Sequence, residues 1–275
     1  MASDLVVRWP VFKFEEADLI WDEQPEVSVE YNAMSTSAPI VEPWLNRVMV
    51  KCRKEVSEDR PDLKQDIDDF VRQESNHYRM HQGFNKFLDD VGYTIPKHFD
   101  DEFEDALREL LKTKSLPFLS AYCAGFENYT LFSSQFLFEE AQDMFKEGDN
   151  GVGDLWLWHF AEEYEHRKVC HDVFANISGN YFTRVYGLVY SFVQLSKHVN
   201  RRIQHFLEIY RSTMTPEQRE TSIKRHKAYQ KRYFRFFLPR MAKILIPFYD
   251  PGKAEAHPRL LAAAKRYDAL SAVPA

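Results

Sequence analysis

Three side chains that commonly bind metal ions lie close together in the segment 155–174, LWLWHFAEEYEHRKVCHDVF. In an α-helix, spacings of four and three residues place His159, Glu163 and His166 on one face, within an arc of about 60°. The residues beside that arc are apolar, among them Leu155, so this face is expected to be buried. A buried carboxylate is costly unless it is compensated, and a bound cation is an economical compensator.

The E-x-x-H spacing occurs a second time, at Glu74 and His77, in another segment with helical periodicity. A single E-x-x-H pair is more often a solvated pair on a helix surface, worth about 0.2–0.5 kcal/mol. Two such pairs on separate helices, with one glutamate from each of two further helices, form the site of dinuclear carboxylate proteins built on four-helix bundles. The repeated motif therefore predicts a dinuclear metal site between helices.

The two remaining carboxylates must come from two other helices. Glu127 is the only acidic residue in the apolar run 116–138, and its small neighbours are expected to leave open volume beside it. Glu42 and Glu55 compete on the first helix, and Glu42 is preferred because charged residues surround Glu55. The predicted ligands are Glu42, Glu74, His77, Glu127, His159, Glu163 and His166. These carboxylates and imidazoles, without thiolates, suit two iron ions, with a manganese–iron pair as the alternative.

Further titratable residues flank the predicted ligands. His81 lies one turn beyond His77 on the same face, and we expect an outer partner of the metal site or a proton donor, with a packed core histidine as the alternative. Glu127 and His81 are the residues predicted to act in catalysis. For Glu162 and Glu165 a solvated or outer role is expected rather than ligation.

The overall composition is that of an ordinary globular protein and argues against several classes. A net charge of −6 gives no general attraction to nucleic acid or to anionic lipid. Three cysteines without a C-x-x-C pair argue against a disulfide framework and for a reducing compartment. We see neither a basic and apolar leader nor an apolar run of about 18 residues, so we expect a cytoplasmic protein without an integral membrane segment.

One segment departs from the acidic character of the chain. Residues 224–243, KRHKAYQKRYFRFFLPRMAK, are basic and aromatic. We interpret them as a surface helix whose aromatic side chains pack on the rest of the protein. Contact with a membrane surface or with nucleic acid is the alternative interpretation.

Hydrophobic periodicity predicts one all-α domain. It divides into an N-terminal arm (1–38), a metal-binding four-helix core (39–178) and a C-terminal helical extension (179–275). The arm is expected to be extended, with Val27, Val29 and Tyr31 as a short strand. Thr215 is expected to cap the last long helix in a capping box with Gln218, and Pro239 to interrupt that helix. The predicted helices are 41–57, 61–91, 100–112, 116–146, 155–174, 181–211 and the segment after Thr215.

These motifs resemble those of ferritin-like di-iron carboxylate proteins, and the added histidine in H-x-x-x-E-x-x-H resembles the p-aminobenzoate N-oxygenase group. Longer stretches are similar to a bacterial family catalogued as predicted metal-dependent hydrolases, and this similarity covers most of residues 32–258. The similar stretches are NAMSTSAPIVEP, QESNHYRMHQGFN, ENYT, WHFAEEYEHRKVCHDVF and FYDPGKAEAHP. Where that family usually has G-E-R, this sequence has Val41-Glu42-Pro43.

The resemblance to the N-oxygenase group implies a di-iron enzyme that activates O2 and oxidises an apolar or aromatic small molecule. Such an enzyme needs an electron donor, and a homodimer is compatible with the sequence. A metal-dependent hydrolase or lyase using the same site is the alternative within enzymes. A bundle that binds metal without turnover is the alternative outside them.

Overall fold

The computed structural model of the chain describes residues 5–14, 19–145 and 151–271. Their regular secondary structure is helical throughout, which confirms the all-α prediction. A π-helical turn, Phe136–Glu140, follows α5, and a 3-10 turn, Pro251–Lys253, precedes α10. The α-helices are α1 (Pro25–Ser35), α2 (Ala38–Glu55), α3 (Pro61–Asp90), α4 (Lys97–Thr113), α5 (Leu116–Gln135), α6 (Val152–His166), α7 (Val169–Ile177), α8 (Tyr181–Arg211), α9 (Pro216–Lys243) and α10 (Pro258–Leu270).

Helix α5 is central, as its almost uninterrupted apolar sequence predicts. It packs against α2, α6, α7, α8 and α9, and nearly all of its side chains are buried. Its most extensive interface is with α8. There Gly125 and Gly187 allow a close approach, since a Cβ built on Gly187 would lie 2.5 Å from the Cβ of Ala121. This crossing fixes α5, and with it Glu127, relative to the rest of the body.

The predicted ligands lie on α2, α3, α5 and α6. Helix α2 packs along α3, while α5 contacts both α2 and α6, so the four helices surround a common interior. Trp44 anchors α2 to α4 by donating from Nε1 to the carbonyl oxygen of Leu107 at 2.8 Å. The division of the chain into arm, core and extension stays a prediction, because α8, assigned to the extension, packs extensively on α5.

The N-terminal region differs from its prediction. Residues 25–35 are helical, so the extended arm is wrong over this stretch and Val27, Val29 and Tyr31 do not form a strand. Pro25 occupies the first helical turn, where its missing N–H costs nothing. The three side chains are buried because α1 is enclosed by α3, α8 and α9. Residues 5–14 do lack regular secondary structure, whereas 1–4 and 15–18 lie outside the described residues.

Three helix boundaries also differ. Helix α2 starts at Ala38 rather than near Val41, which puts Pro43 inside the helix. The single helix predicted for 155–174 is two helices, α6 and α7. A turn separates them, in which the Arg167 guanidinium lies 4.3 Å from the Tyr164 ring centre. The predicted helix 116–146 gives way to the π-helical turn after Gln135, and the stretch 146–150 is outside the described residues.

Helix α9 begins as predicted and ends later. The capping box between Thr215 and Gln218 is present. Pro239 does not interrupt the helix, because the final turn is held to the body on both sides of it. Phe237 is buried, and Arg240 pairs with Glu139 at 3.0 Å. Within the described residues, we find no helix with the length and apolarity needed to span a bilayer.

Candidate metal centre

The structure brings all seven predicted ligands together in two adjoining buried clusters. One cluster contains Glu42, His77 and His159, and the other contains Glu74, Glu127, Glu163 and His166. Within each cluster, one ligand atom per residue lies within 4.8 Å of every other. Each cluster therefore has the donor types and the spacing to hold one divalent ion.

Glu163 links the two clusters. Its Oε1 lies 2.9 Å from His159 Nε2 and 3.5 Å from His77 Nδ1, both in the first cluster. Its Oε2 lies 3.6 Å from His166 Nδ1 in the second. The two oxygens of one carboxylate thus face different clusters, which is the placement of a bridging ligand.

Two of the histidines, His77 and His166, are also hydrogen-bonded on the side that faces away from the clusters. His77 Nε2 lies 3.0 Å from Glu162 Oε2, and His166 Nε2 lies 3.0 Å from Gln73 Oε1. Gln73 is oriented by its own amide group, which donates to Glu165 at 2.8 Å. Because both outer partners accept a hydrogen bond from Nε2, each ring turns its Nδ1, the nitrogen that would bind a metal ion, into the site. Metal-binding histidines in proteins are usually held in this way.

His159 is held by a chain of hydrogen bonds with a defined direction. Asn85 donates from Nδ2 to the carbonyl oxygen of Ser35, so its Oδ1 accepts from the Ser35 hydroxyl at 2.7 Å. Ser35 Oγ must then accept from His81 Nδ1 at 2.8 Å. His81 Nε2 in turn accepts from His159 Nδ1 at 2.7 Å. In this arrangement the Nε2 of His159 faces the Glu163 carboxylate at 2.9 Å, and a cation beside the two groups stabilises both.

Unpartnered polar atoms give an independent test of whether metal ions fit. Seven nitrogen and oxygen atoms of the two clusters are buried without a hydrogen-bond partner among the described residues. Leaving such atoms unpaired costs about 1–3 kcal/mol each, and more for charged groups. The atoms are Glu42 Oε2, both carboxylate oxygens of Glu74, His77 Nδ1, Glu127 Oε1, Glu163 Oε2 and His166 Nδ1. The residues present fit two divalent ions.

The ionisation of the metal-free clusters leads to the same conclusion. Burial and the nearby Glu163 charge raise the pKa of Glu127 to about 8. Burial opposes protonation of His77, but the carboxylates of Glu162 and Glu163 raise its pKa to about 10. Burial also opposes ionisation of Glu163, yet its histidine neighbours hold its pKa well below the ordinary value. In the metal-free protein, protons on groups such as Glu127 and His77 balance the charge that metal ions would otherwise balance. Metal binding must displace these protons.

Replacing His81 by leucine is expected to weaken the first cluster selectively. The His159 Nδ1–H would lose its acceptor, and loss of such an outer partner typically costs about 10–100-fold in metal affinity. Competitive Mn²⁺ titration of the variant should show one weakened and one unchanged site. His98→Leu, at an exposed position on α4, is the matched control. Two unchanged sites in His81→Leu would contradict the role given to His81.

The segment 5–14 reinforces these outer contacts. The Arg8 side chain, only 3% exposed, pairs with Glu162 at 3.3 Å and with Glu165 at 2.8 Å. Arg8 also binds Asp268, near the end of α10, at 2.6 Å. Asn76 on α3 donates to the Arg8 carbonyl oxygen at 2.9 Å. Arg8 therefore fixes the carboxylate that holds His77.

A cavity of about 580 Å³ adjoins the first cluster. Glu42 and His159 lie in its wall, which is otherwise mainly apolar and aromatic. Glu127 itself does not lie in the wall of this cavity, and the open volume predicted beside it stays a prediction. Thr130 lines the cavity, whereas Ala124 belongs to the buried core of the protein. The accessible side of the site is therefore the Glu42 side.

Three further glutamates near the predicted ligands in sequence lie outside the two clusters. Glu55, the rejected alternative to Glu42, is exposed at the end of α2. Glu162 and Glu165 lie behind the site, bound to Arg8, in the outer position that was favoured over ligation. Gln73, Ser35, Asn85 and Arg8 were missed, because no local spacing connects these residues to the ligands.

Comparison with known proteins supports a metal-dependent activity. The model of a family described as "Predicted metal-dependent hydrolase" matches residues 6–255. Searches of curated proteins and of solved structures gave no match. The ferritin-like assignment thus remains a prediction from the motifs. The family match spans almost the whole chain and includes every member of both clusters, so this protein belongs to the predicted metal-dependent hydrolase family.

Proposed function

We propose that the chain is a dinuclear metal-dependent hydrolase that cleaves a neutral, apolar ester or amide. The observation that carries this proposal is the position of Glu42 and His159. Both belong to the first cluster, and both lie in the wall of the cavity. A molecule filling the cavity would bring one end against that cluster.

The cavity wall favours a substrate without negative charge. Among the described residues that line it there is no lysine or arginine, whereas Glu30 and Glu42 contribute carboxylates. A phosphate ester would find no counter-charge apart from the metal ions themselves. Aromatic side chains such as Tyr129, Phe160 and Phe192 offer instead an apolar surface. These features support an ester or amide of an apolar acid.

The side chains around the first cluster would orient this substrate. Ser37 Oγ is buried without a hydrogen-bond partner among the described residues, and Ser37 lines the cavity. Its hydroxyl is free to donate to the carbonyl oxygen of the substrate. Trp156 and Phe160 lie 5.5 and 5.6 Å from the His159 ring centre and exclude water from that side. When bound, divalent ions would polarise the carbonyl and lower the pKa of water at the site.

Oxygen activation by an iron pair is the second candidate. A donor set of glutamates and histidines without thiolates suits iron as well as manganese or zinc. An aromatic cavity beside the first cluster would also suit an oxidisable aromatic molecule. This reaction needs electrons and O2, whereas hydrolysis needs neither, so the two candidates separate in an oxygen-free assay.

The proposal is tested with metal-free protein reloaded with Zn²⁺ or Mn²⁺ under nitrogen. We expect hydrolysis of p-nitrophenyl esters, with kcat/KM rising with acyl length because longer chains bury more apolar surface in the cavity. Glu42→Gln should lower kcat/KM by about 100-fold or more, since it removes a donor of the first cluster.

Glu55→Gln is the matched control, because it removes a carboxylate of the same helix at an exposed position. Equal rates in both variants would overturn the assignment of the hydrolytic site. Absence of hydrolysis with either metal, together with O2 consumption by the reduced iron-loaded protein, would favour the oxygenase candidate.

A further inference from the structure

Helix α8 carries an exposed apolar stripe. Phe182, Tyr186, Val189 and Val193 follow one another at spacings of four, three and four residues, which places them on one helix face. Phe182 is 78% exposed and Val193 61%. The only charged residue among 181–196 is Arg184, which is buried and donates to backbone carbonyls beyond α9. This face of α8 has no charged side chain, and none of the described residues covers it.

The end of α9 and the segment after it extend the same surface. Phe234 and Leu238 are exposed on α9, and Leu245, Ile246 and Phe248 are exposed beyond it, with Phe248 at 91%. The two parts are neighbours: the Tyr181 hydroxyl donates to the Leu245 carbonyl oxygen at 2.8 Å, and the Phe192 and Phe237 ring centres lie 6.0 Å apart. We call the exposed apolar side chains of these two neighbouring parts the α8/α9 face.

Positive charge borders the α8/α9 face. Between Glu220 and Asp250 the sequence has eight lysines and arginines and no acidic residue, although the whole chain has a net charge of −6. Four of these cations have no ion pair in the described part of the chain: Lys227, Lys231, Arg235 and Lys243. Lys231 lies three residues before Phe234, and Arg235 three before Leu238, so both flank the exposed apolar side chains.

The cavity opens at this surface. Its exposed lining residues are Asn200 and Gln204 on α8 and Phe234 on α9, so its mouth lies between the two helices. Phe234 belongs both to the cavity wall and to the α8/α9 face. A molecule leaving an apolar phase at this face would enter the cavity without crossing open water.

We propose that the α8/α9 face docks on the surface of a bilayer containing anionic phospholipid, and that the cavity takes its apolar substrate from that bilayer. Exposed aromatic and aliphatic side chains beside unpaired cations are the composition of interfacial membrane-binding surfaces. The second part rests on the proposed function, whereas the docking does not.

Charge argues against a second copy of this chain as the occupant. In a symmetric dimer the same patch meets itself, so Lys231 and Arg235 would face the like charges of the other copy. Such a dimer would also cover the cavity mouth. An anionic bilayer satisfies the cations and leaves the mouth in contact with an apolar phase.

Docking is tested by co-sedimentation of the full chain, as purified, with vesicles, so that binding is measured without any assay of activity. We expect binding to vesicles of phosphatidylcholine with phosphatidylglycerol, and much weaker binding to phosphatidylcholine alone. Lys231→Gln/Arg235→Gln should lower the partition coefficient about 30-fold, since each basic side chain near an anionic surface contributes about fivefold. Phe182→Ser/Phe248→Ser should lower it at least about tenfold.

The matched control is Leu261→Ser/Lys265→Gln, which removes an exposed apolar and an exposed basic residue from α10. It should bind like the unchanged chain. Equal binding by all four proteins would overturn the proposal, as would a dimer in solution that only the two face variants dissociate. A chain that hydrolyses soluble esters but does not sediment with anionic vesicles would overturn the docking and leave the proposed function standing.

Discussion

Glu163→Gln is expected to weaken both metal sites at once, whereas Glu42→Gln and Glu127→Gln should each weaken only one. The reason is that the two oxygens of Glu163 face different clusters, while Glu42 and Glu127 each belong to a single cluster. We expect the affinity at both sites to fall by about 100-fold or more in Glu163→Gln, beyond the usual cost of losing an outer partner. Elemental analysis after dialysis and competitive Mn²⁺ titration measure the two sites.

Two features make this comparison decisive. Glutamine keeps the size and shape of glutamate, so a change in metal content reports the lost charge and not a cavity. Glu55→Gln is the control, because it removes an exposed carboxylate from the helix that carries Glu42. If Glu163→Gln lost only one ion, the bridging position would be wrong; if all variants kept two, the clusters would not be the metal site.

Gly187→Ala is expected to destabilise the fold although alanine is the better helix former. The added Cβ would lie 2.5 Å from the Ala121 Cβ and 2.8 Å from the Ala121 carbonyl carbon, so α5 and α8 must move apart. Overpacking of this kind costs about 1–3 kcal/mol. We expect a net loss of about 2 kcal/mol in the free energy of unfolding, measured by urea denaturation.

Gly83→Ala on α3 is the matched control. A Cβ there would meet the Phe14 ring at 3.5 Å, which is ordinary contact. With no clash to offset it, the helix preference of alanine should raise stability by about 0.5–1 kcal/mol. The two substitutions should therefore shift the unfolding midpoint in opposite directions. If neither variant lost stability, the α5–α8 interface would accommodate an added methyl group, and the clash predicted for Gly187→Ala would be wrong.

The helical fold and the ligand set could be predicted because both depend on local spacing. The face shared by His159, Glu163 and His166 requires one helix up to residue 166, and the break in the chain comes just after it. Glu127 was recognisable as a lone acid in an apolar helix. Helix α1 was not recognisable, because it is short and much of its burial comes from α8 and α9, which lie far along the chain.

The surroundings of the site could not be predicted, because they are long-range. Ser35 reaches His81 across 46 residues, and Gln73 reaches His166 across 93. Polar residues such as Gln73 and Asn85 are usually exposed in helices, so only the packed structure reveals that they orient the ligands. The position of the cavity depends on α8 and α9, which form part of its wall. Neither helix contains a ligand motif, so the motifs could not predict on which side of the site the cavity lies.

The contacts of Arg8 set an order of assembly. Arg8 binds Glu162, Glu165 and Asp268, so its partners are spread over most of the chain. Chains are synthesised from the N-terminus. The Arg8 guanidinium, which binds the outer carboxylate of His77, therefore has one partner that is synthesised 260 residues later. The segment that contains Arg8 is therefore synthesised well before all of its partners are present, and the outer support of His77 is completed only once α10 has been made.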